Sequence, residues 1–290
     1  MSENELLFSL FFVSCRSKNK VEQPMIKDFD LLQRANNDYT TIDLEHAEEL
    51  AYRELIDSIR YIPLGDECGV MGNIANIITY KGRFYIQEEQ FDRVFIYDDT
   101  GRCLKKIDNK GRGPGEYLRI ESIDINTEKE ELMLVDGMSD KLFFYDLDGN
   151  FKSIHSIRYF QTENTLCLRD SVFLHISAPS QNFGNEGLYG YALVLSKGNE
   201  NFLKGYRYLP LQVGYKGGGQ IFKGYERSCY HPIYSDTIYQ ILSDTTYGPI
   251  FYFKIKNSSW EKYHNSDRFV DIDGSEEGVF TLLYENQDFF

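Results

Sequence analysis

Tryptophan occurs once in these 290 residues, proline seven times, and histidine and cysteine five times each. No two cysteines stand in a C-x-x-C pair. The histidines, at 46, 155, 175, 231 and 264, form no H-x-H or HExxH pattern, so zinc-ribbon, thioredoxin-like and local metalloenzyme motifs lack their spacing. Cations are also in deficit: 31 basic residues against 45 acidic ones leave a net charge of −14, which argues against a nucleic-acid partner. What the chain has in quantity is tyrosine (22) and phenylalanine (21), residues that suit half-buried pleated surfaces. A single large all-β domain fits that composition and length.

The start of the chain reads differently. "LLFSLFFV" (6–13) is too short to cross a bilayer but has the length of the apolar part of a signal peptide. Ser14 and Cys15 follow it, and a cysteine directly after a small residue resembles the lipobox at which bacterial lipoproteins are cleaved and lipidated. Residues 1–15 are therefore expected to be a lipoprotein signal ending at Cys15, the lipidation site. Two features depart from that pattern: "MSENE" carries glutamates where positive charge is usual, and Phe12 replaces a leucine. An N-terminal β-strand is the alternative. Residues 16–40 are polar and read as a tether. "DLEHAEELAYRELIDSI" (43–59) places Leu44, Ala47, Leu50, Ala51, Leu55 and Ile59 at helical spacing, with Thr41 or Asp43 as N-cap, and predicts a short helix before Pro63. The remaining cysteines, Cys68, Cys103, Cys167 and Cys229, are widely separated and expected to be buried, free and inert rather than bridged.

From about residue 60 the apolar period changes to two, and a repeat emerges. "GRFYIQEEQFDRVFIYDDTGR" (82–102) aligns without a gap on "EELMLVDGMSDKLFFYDLDGN" (130–150). Each copy reads as strand, loop, strand and an Asp-rich turn closed by Gly101 or Gly149, followed by another strand. That period matches a four-stranded propeller blade. Eroded copies follow at 171–202 and 232–255, and "RFVDIDGSEEGVFTLLYE" (268–285) begins a further unit.

"GRGPGEY" followed by "IDIN", then "FFYDLDGN", "YSDTIYQI" and "GPIFYFKI", resembles the bacterial six-bladed β-propeller lipoproteins, which are related in shape to NHL-repeat propellers. The resemblance covers about residues 40–290. It implies a propeller of four-stranded blades over 41–290, of the six-bladed type but stopping inside its fifth blade. It also implies an address in the cell envelope.

The three glycines of "GRGPGEY" invite a phosphate-loop reading. No Gly-Lys-Ser/Thr follows, Pro114 removes a backbone donor, and "YLRIESIDI" alternates like a strand rather than opening a helix. The loop is better explained as a joint between blades, with Gly111, Gly113 and Gly115 allowing positive φ and Pro114 stiffening the turn. The alternative is that Arg112, Glu116 and Tyr117 face a ligand at the propeller axis. "DLDGN" (146–150) and "DIDGS" (271–275) resemble the opening of a calcium loop, but Ile157 and Leu282 stand where the bidentate carboxylate belongs. Ser139 lacks the flanking glycines of a nucleophile elbow, and the glycine cluster at 214–220 reads as a flexible loop.

The sequence thus predicts no catalytic residues, no metal and no cofactor. It favours a binding or scaffold module that presents a propeller face to a protein, peptide or glycan and meets the membrane only through a lipid anchor. The alternative is a lyase or hydrolase whose residues converge on the axis from several blades. Fold alone does not choose between them.

Overall fold

The computed structural model describes residues 58–157 without interruption, most of 161–254, and short stretches between 30 and 46. Three short strands come first: β1 (Asp30–Leu31), β2 (Gln33–Arg34) and β3 (Thr40–Asp43). Four antiparallel meanders follow. The first blade is β4 (Ile74–Tyr80), β5 (Arg83–Glu88), β6 (Arg93–Asp98) and β7 (Cys103–Ile107). The second is β8 (Ser122–Asn126), β9 (Glu131–Asp136), β10 (Lys141–Asp146) and β11 (Phe151–Ser156). The third is β12 (Asn164–Arg169), β13 (Val172–Ile176), β14 (Tyr191–Lys197) and β15 (Asn201–Tyr208). The fourth is β16 (Gln220–Gly224), β17 (Arg227–His231), β18 (Thr237–Ile241) and β19 (Thr246–Lys254). The first strands of successive blades, β4, β8, β12 and β16, lie beside one another and line the axis.

Local chemistry fixes each meander. Asp98 and Asp146 end equivalent strands, and each carboxylate accepts amides from its own turn, Thr100 and Arg102 in one case and Asp148 and Asn150 in the other. The Thr100 hydroxyl, together with these amides, holds the Asp98 carboxyl down at about 2, and the Asn150 and Asp148 amides lower that of Asp146. Gly101 and Gly149 then supply the left-handed residue, at φ +87° and +80°. Asp146 thus caps its hairpin turn. The "DIDGS" stretch at 271–275 lies outside the described residues.

Alternation gives each blade two apolar faces, and faces of adjacent blades seal against each other. Tyr85, Val94 and Ile96 of the first blade pack on Leu132, Leu134, Phe143 and Tyr145 of the second. Met133, Val135 and Phe144 pack on Cys167 and Phe173 of the third, and Leu174, Leu193 and Leu195 pack on Ile221 and Tyr230 of the fourth. One position breaks this regularity. On the inner strands, the residues facing the preceding blade are buried at Ile123 (2% exposed), Cys167 (2%) and Ile221 (4%), but Ile77 is 51% exposed.

The N-terminal residues cover what the blades leave open. β1 pairs in parallel with the outer edge of β15, and β2 and β3 pair with that of β19. Ile42 and Leu44 pack on the far face of the fourth blade, against Ile238, Phe251 and Phe253. Cys68 and Met71 pack on the far face of the first, against Ile86, Phe95 and Tyr97.

Several expectations are corrected. The described residues hold four blades, not six. The helix expected over 43–59 is not supported: Thr41 and Asp43, its proposed caps, lie in β3, where the β19 edge satisfies their backbone, and 47–57 lie outside the described residues. Within the supposed tether of 16–40, residues 30–34 carry two short strands. Cys68 and Cys103, expected to be free, form a disulfide, whereas Cys167 and Cys229 are buried thiols. Cys15 and residues 1–29 lie outside the described residues.

Candidate functional site

Between β7 and β8 the chain must turn from the rim of one blade to the axis of the next, and "GRGPGEY" makes that turn. The Gly111 amide donates to the Tyr117 carbonyl (2.9 Å), the Tyr117 amide to the Asn109 carbonyl (3.1 Å) and the Glu116 amide to the Gly113 carbonyl (3.1 Å). The Glu116 carboxylate accepts the Gly113 amide at 2.6 Å. Only Gly115 of the three glycines has a positive φ, +81°. Gly111 and Gly113 leave room for the Glu116 carboxylate, on which a Cβ at either position would press. The sequence reading that gave all three glycines a left-handed role is corrected on that point.

Tyr117 anchors the joint. Its ring is fully buried edge-to-face on Phe143, at 6.0 Å between centroids. Its hydroxyl donates to the Asp92 carbonyl (2.8 Å) and accepts the Asn109 amide (3.2 Å). Burial pushes the phenol well above its ordinary range, so it stays protonated. Asp92, itself at φ +56°, accepts the Ile120 amide (3.1 Å) and pairs with Lys110. Asp136 accepts the Leu118 amide (2.7 Å) together with the Ser139 hydroxyl (2.6 Å), and the Gln87 side-chain amide donates to the Ile120 carbonyl (3.0 Å). Ser139 is therefore part of a turn cap. Glu121 lies between these carboxylates; burial raises its pKa, Arg119 opposes that, and Asp92 and Asp136 add to it. Facing solvent on the joint are Arg112, Pro114, Glu116 and Arg119.

At the axis, the Asp124 carboxylate accepts the Cys167 amide (2.7 Å) and the Lys223 ammonium (2.7 Å), while Lys223 also donates to the Ile125 carbonyl (2.7 Å). One ion pair thus ties the second blade to the fourth, with the third between them. Burial pushes the Asp124 carboxyl up and Lys223 works against that shift. Burial also pushes the Cys167 thiol up to about 12, which leaves it protonated and a poor nucleophile. Further out, His175 is wholly enclosed between the Thr165 hydroxyl (2.9 Å from Nδ1) and the Ser196 hydroxyl (2.7 Å from Nε2). Burial lowers its pKa to about 3, so the imidazole is neutral and structural.

The expected site residues are thus brought together in one loop, where Tyr117 points into the seam, Glu116 closes the turn and Arg112 faces out. Sequence reading missed Asp92, Asp124, Lys223 and His175. Asp124 and Lys223 carry no shared motif, being 99 residues apart; a signal was available only for Asp92, which occupies the same place as Asp140 in the 48-residue repeat, and both have positive φ. Most of the glycine cluster at 214–220 lies outside the described residues. Among the described residues no group of three acidic, histidine or cysteine side chains is placed to hold a metal ion, and no helix is long and apolar enough to cross a membrane.

Meandering four-stranded sheets whose first strands line an axis, joined from rim to axis, define a β-propeller. Within that class, the chain belongs to the family described as domain of unknown function DUF4934, whose profile matches residues 39–290. No curated protein matches it. Among solved structures it is similar to a protein of Bacteroides fragilis NCTC 9343 whose export is itself inferred, at a TM-score of 0.63 and 20% identity over 74% of this chain. The chain spans 60% of the length of that protein. A member of the DUF4221 family from Bacteroides vulgatus matches at a TM-score of 0.41 and 10% identity, over 61% of this chain and 57% of its own. The likeness to the Bacteroides fragilis protein is one of fold; it does not extend to the NHL-repeat relationship or to the G-x-G-P-G-E-Y motif.

Proposed function

We propose that this chain is an exported, non-catalytic β-propeller module of the cell envelope, lipid-anchored through Cys15, that presents a loop face to a protein, peptide or glycan. The observation that carries this reading is how the polar side chains of the joint and axis are used. Asp92, Glu116 and Asp136 hold backbone amides, Asp124 holds Lys223, and His175 is neutral between two hydroxyls. Groups so committed keep blades in register, and recognition falls to outward side chains such as Arg112. The Cys68–Cys103 bridge suits an oxidising compartment, and the inferred export of a protein with a similar fold is in keeping with that address.

The test is recovery of the intact anchored protein from envelope membranes, with identification of whatever accompanies it. Parallel labelling with a fatty-acid analogue should mark the parent and not Cys15→Ala. Equal labelling of both would remove the anchor, and turnover of a co-purifying small molecule by the recovered protein would remove the non-catalytic reading.

A further inference from the structure

The far face of the first blade is covered by residues 60–72, which belong to no blade. We propose that this segment is a redox-released strap, and that Cys68–Cys103 is the clasp whose reduction frees it and uncovers the sheet beneath. The disulfide joins the strap to β7, the outer strand of the blade. Beneath the strap are Ile86, Phe95 and Tyr97, all buried, with Cys68 and Met71 packed over them.

Apart from the disulfide, the strap is held thinly. The Gly65 amide donates to the Gly101 carbonyl (2.7 Å), the Tyr97 hydroxyl to the Gly65 carbonyl (3.3 Å), and Arg60 to the Asp99 carbonyl (2.6 Å). The Cys103 amide donates to the Glu67 carboxylate at 3.3 Å, and the Arg93 guanidinium to the Val70 carbonyl at 3.5 Å. Tyr61, Pro63, Leu64, Asp66, Glu67 and Val70 face solvent. A segment with few buried contacts and few hydrogen bonds opens locally before the fold does, and here a covalent bond prevents that opening. Among the described residues the faces between adjacent blades have no such clasp, since each is buried by a whole blade.

The chemistry is thiol–disulfide exchange with a dithiol reductant. A thiolate of the reductant attacks Sγ of Cys68, which is partly exposed while Cys103 is buried. The S–S bond breaks, and Cys103 leaves as a thiolate and takes up a proton. The second thiolate of the reductant then displaces Cys68 from the mixed disulfide. The protein bond gains two electrons as the dithiol becomes a disulfide.

Limited digestion of the full chain with a glutamate-specific protease, before and after dithiothreitol treatment and alkylation, reads the strap directly at Glu67. Reduction confirmed by mass should speed that cleavage on the order of 10²-fold, the scale on which removing such a crosslink frees a chain segment. Amide exchange at Gly65 and Cys103 should rise, while β8 to β10 stay protected. The double variant Cys68→Ser, Cys103→Ser should reproduce this without reductant. Unchanged cleavage and exchange after complete reduction would overturn the proposal, because the noncovalent contacts would then suffice. Loss of protection throughout β8 to β10 would overturn it as well, because the bond would then hold the whole fold and not a strap.

Discussion

The two faces of the first blade are sealed by different means. Toward the second blade, Tyr85, Val94 and Ile96 meet a partner sheet built on the same repeat, and the joint locks the contact through Tyr117, Asp92 and Gln87. Away from it, Ile86, Phe95 and Tyr97 are covered by a segment outside the repeat that is fastened by one disulfide, and Ile77 stays bare. A repeated seam distributes its stability over many apolar contacts, whereas a cover of irregular chain concentrates it at one bond.

The largest test of that contrast removes the anchor of the repeated seam. Tyr117→Ala empties a fully buried aromatic site and strands the Asp92 carbonyl, and should cost roughly 3–5 kcal/mol in urea unfolding. Tyr61→Ala, on an exposed strap residue, should stay within about 0.5 kcal/mol of the parent. Comparable losses from the two would erase the distinction.

Next in size is a pH effect that separates the second seam from the first. His175 titrates near 6.5 in the unfolded chain but is held at about 3 in the fold. Between those values the unfolded state binds a proton that the folded state refuses, so stability falls as pH drops, by up to about 1.4 kcal/mol per unit. His155 is shifted down by burial as well and acts in the same direction. Urea midpoints from pH 6.5 to 5 should therefore decline in the parent and decline less in His175→Gln, whose amide can still meet both hydroxyls. An identical slope in the two proteins would show that His175 is not the group responsible.

Those residues also mark how far the sequence could be read. The first two blades were legible because their register is local: alternation set the faces, and Asp98 with Gly101 or Asp146 with Gly149 set the turns, all within one period. The turn at 111–115 was legible as a joint because a cluster of glycines with one proline favours a tight reversal. The strands β1 to β3 were not, since two to four residues acquire strand geometry only from the β15 and β19 edges they meet. The disulfide, the Asp124–Lys223 pair and the His175 enclosure depend on contacts between distant parts of the chain, and no spacing rule encodes those.

A smaller effect lies within the joint. Gly115→Val places a β-branched residue at φ +81° and should cost about 1–3 kcal/mol. Gly113→Val acts differently, by crowding the Glu116 carboxylate, which can swing into solvent at the expense of its bond to the Gly113 amide. Its loss should therefore be no greater than that of Glu116→Ala, about 1 kcal/mol, and the two should not add when combined. Full additivity would mean that the glycine is required for its backbone and not for the space it leaves.

The smallest expected effect is the one that separates the joint from a recognition surface. Arg112 faces solvent on a loop whose other polar groups are tied into the turn, so Arg112→Ala should change the melting temperature little, within the range of about 0.5 kcal/mol usual for surface sites. Glu116→Gln keeps an acceptor for the Gly113 amide but loses its charge, and since charge-assisted bonds are stronger than neutral ones, it should fall between the parent and Glu116→Ala. If the proposed face binds through this loop, the order reverses in a binding assay against whatever the envelope preparation yields. Arg112→Ala should then lose affinity and Glu116→Gln should not, because the carboxylate is already engaged by the loop's own Gly113 amide. Stability and binding that both follow Glu116 would leave the joint as a hinge between blades and move the recognition surface elsewhere on the propeller.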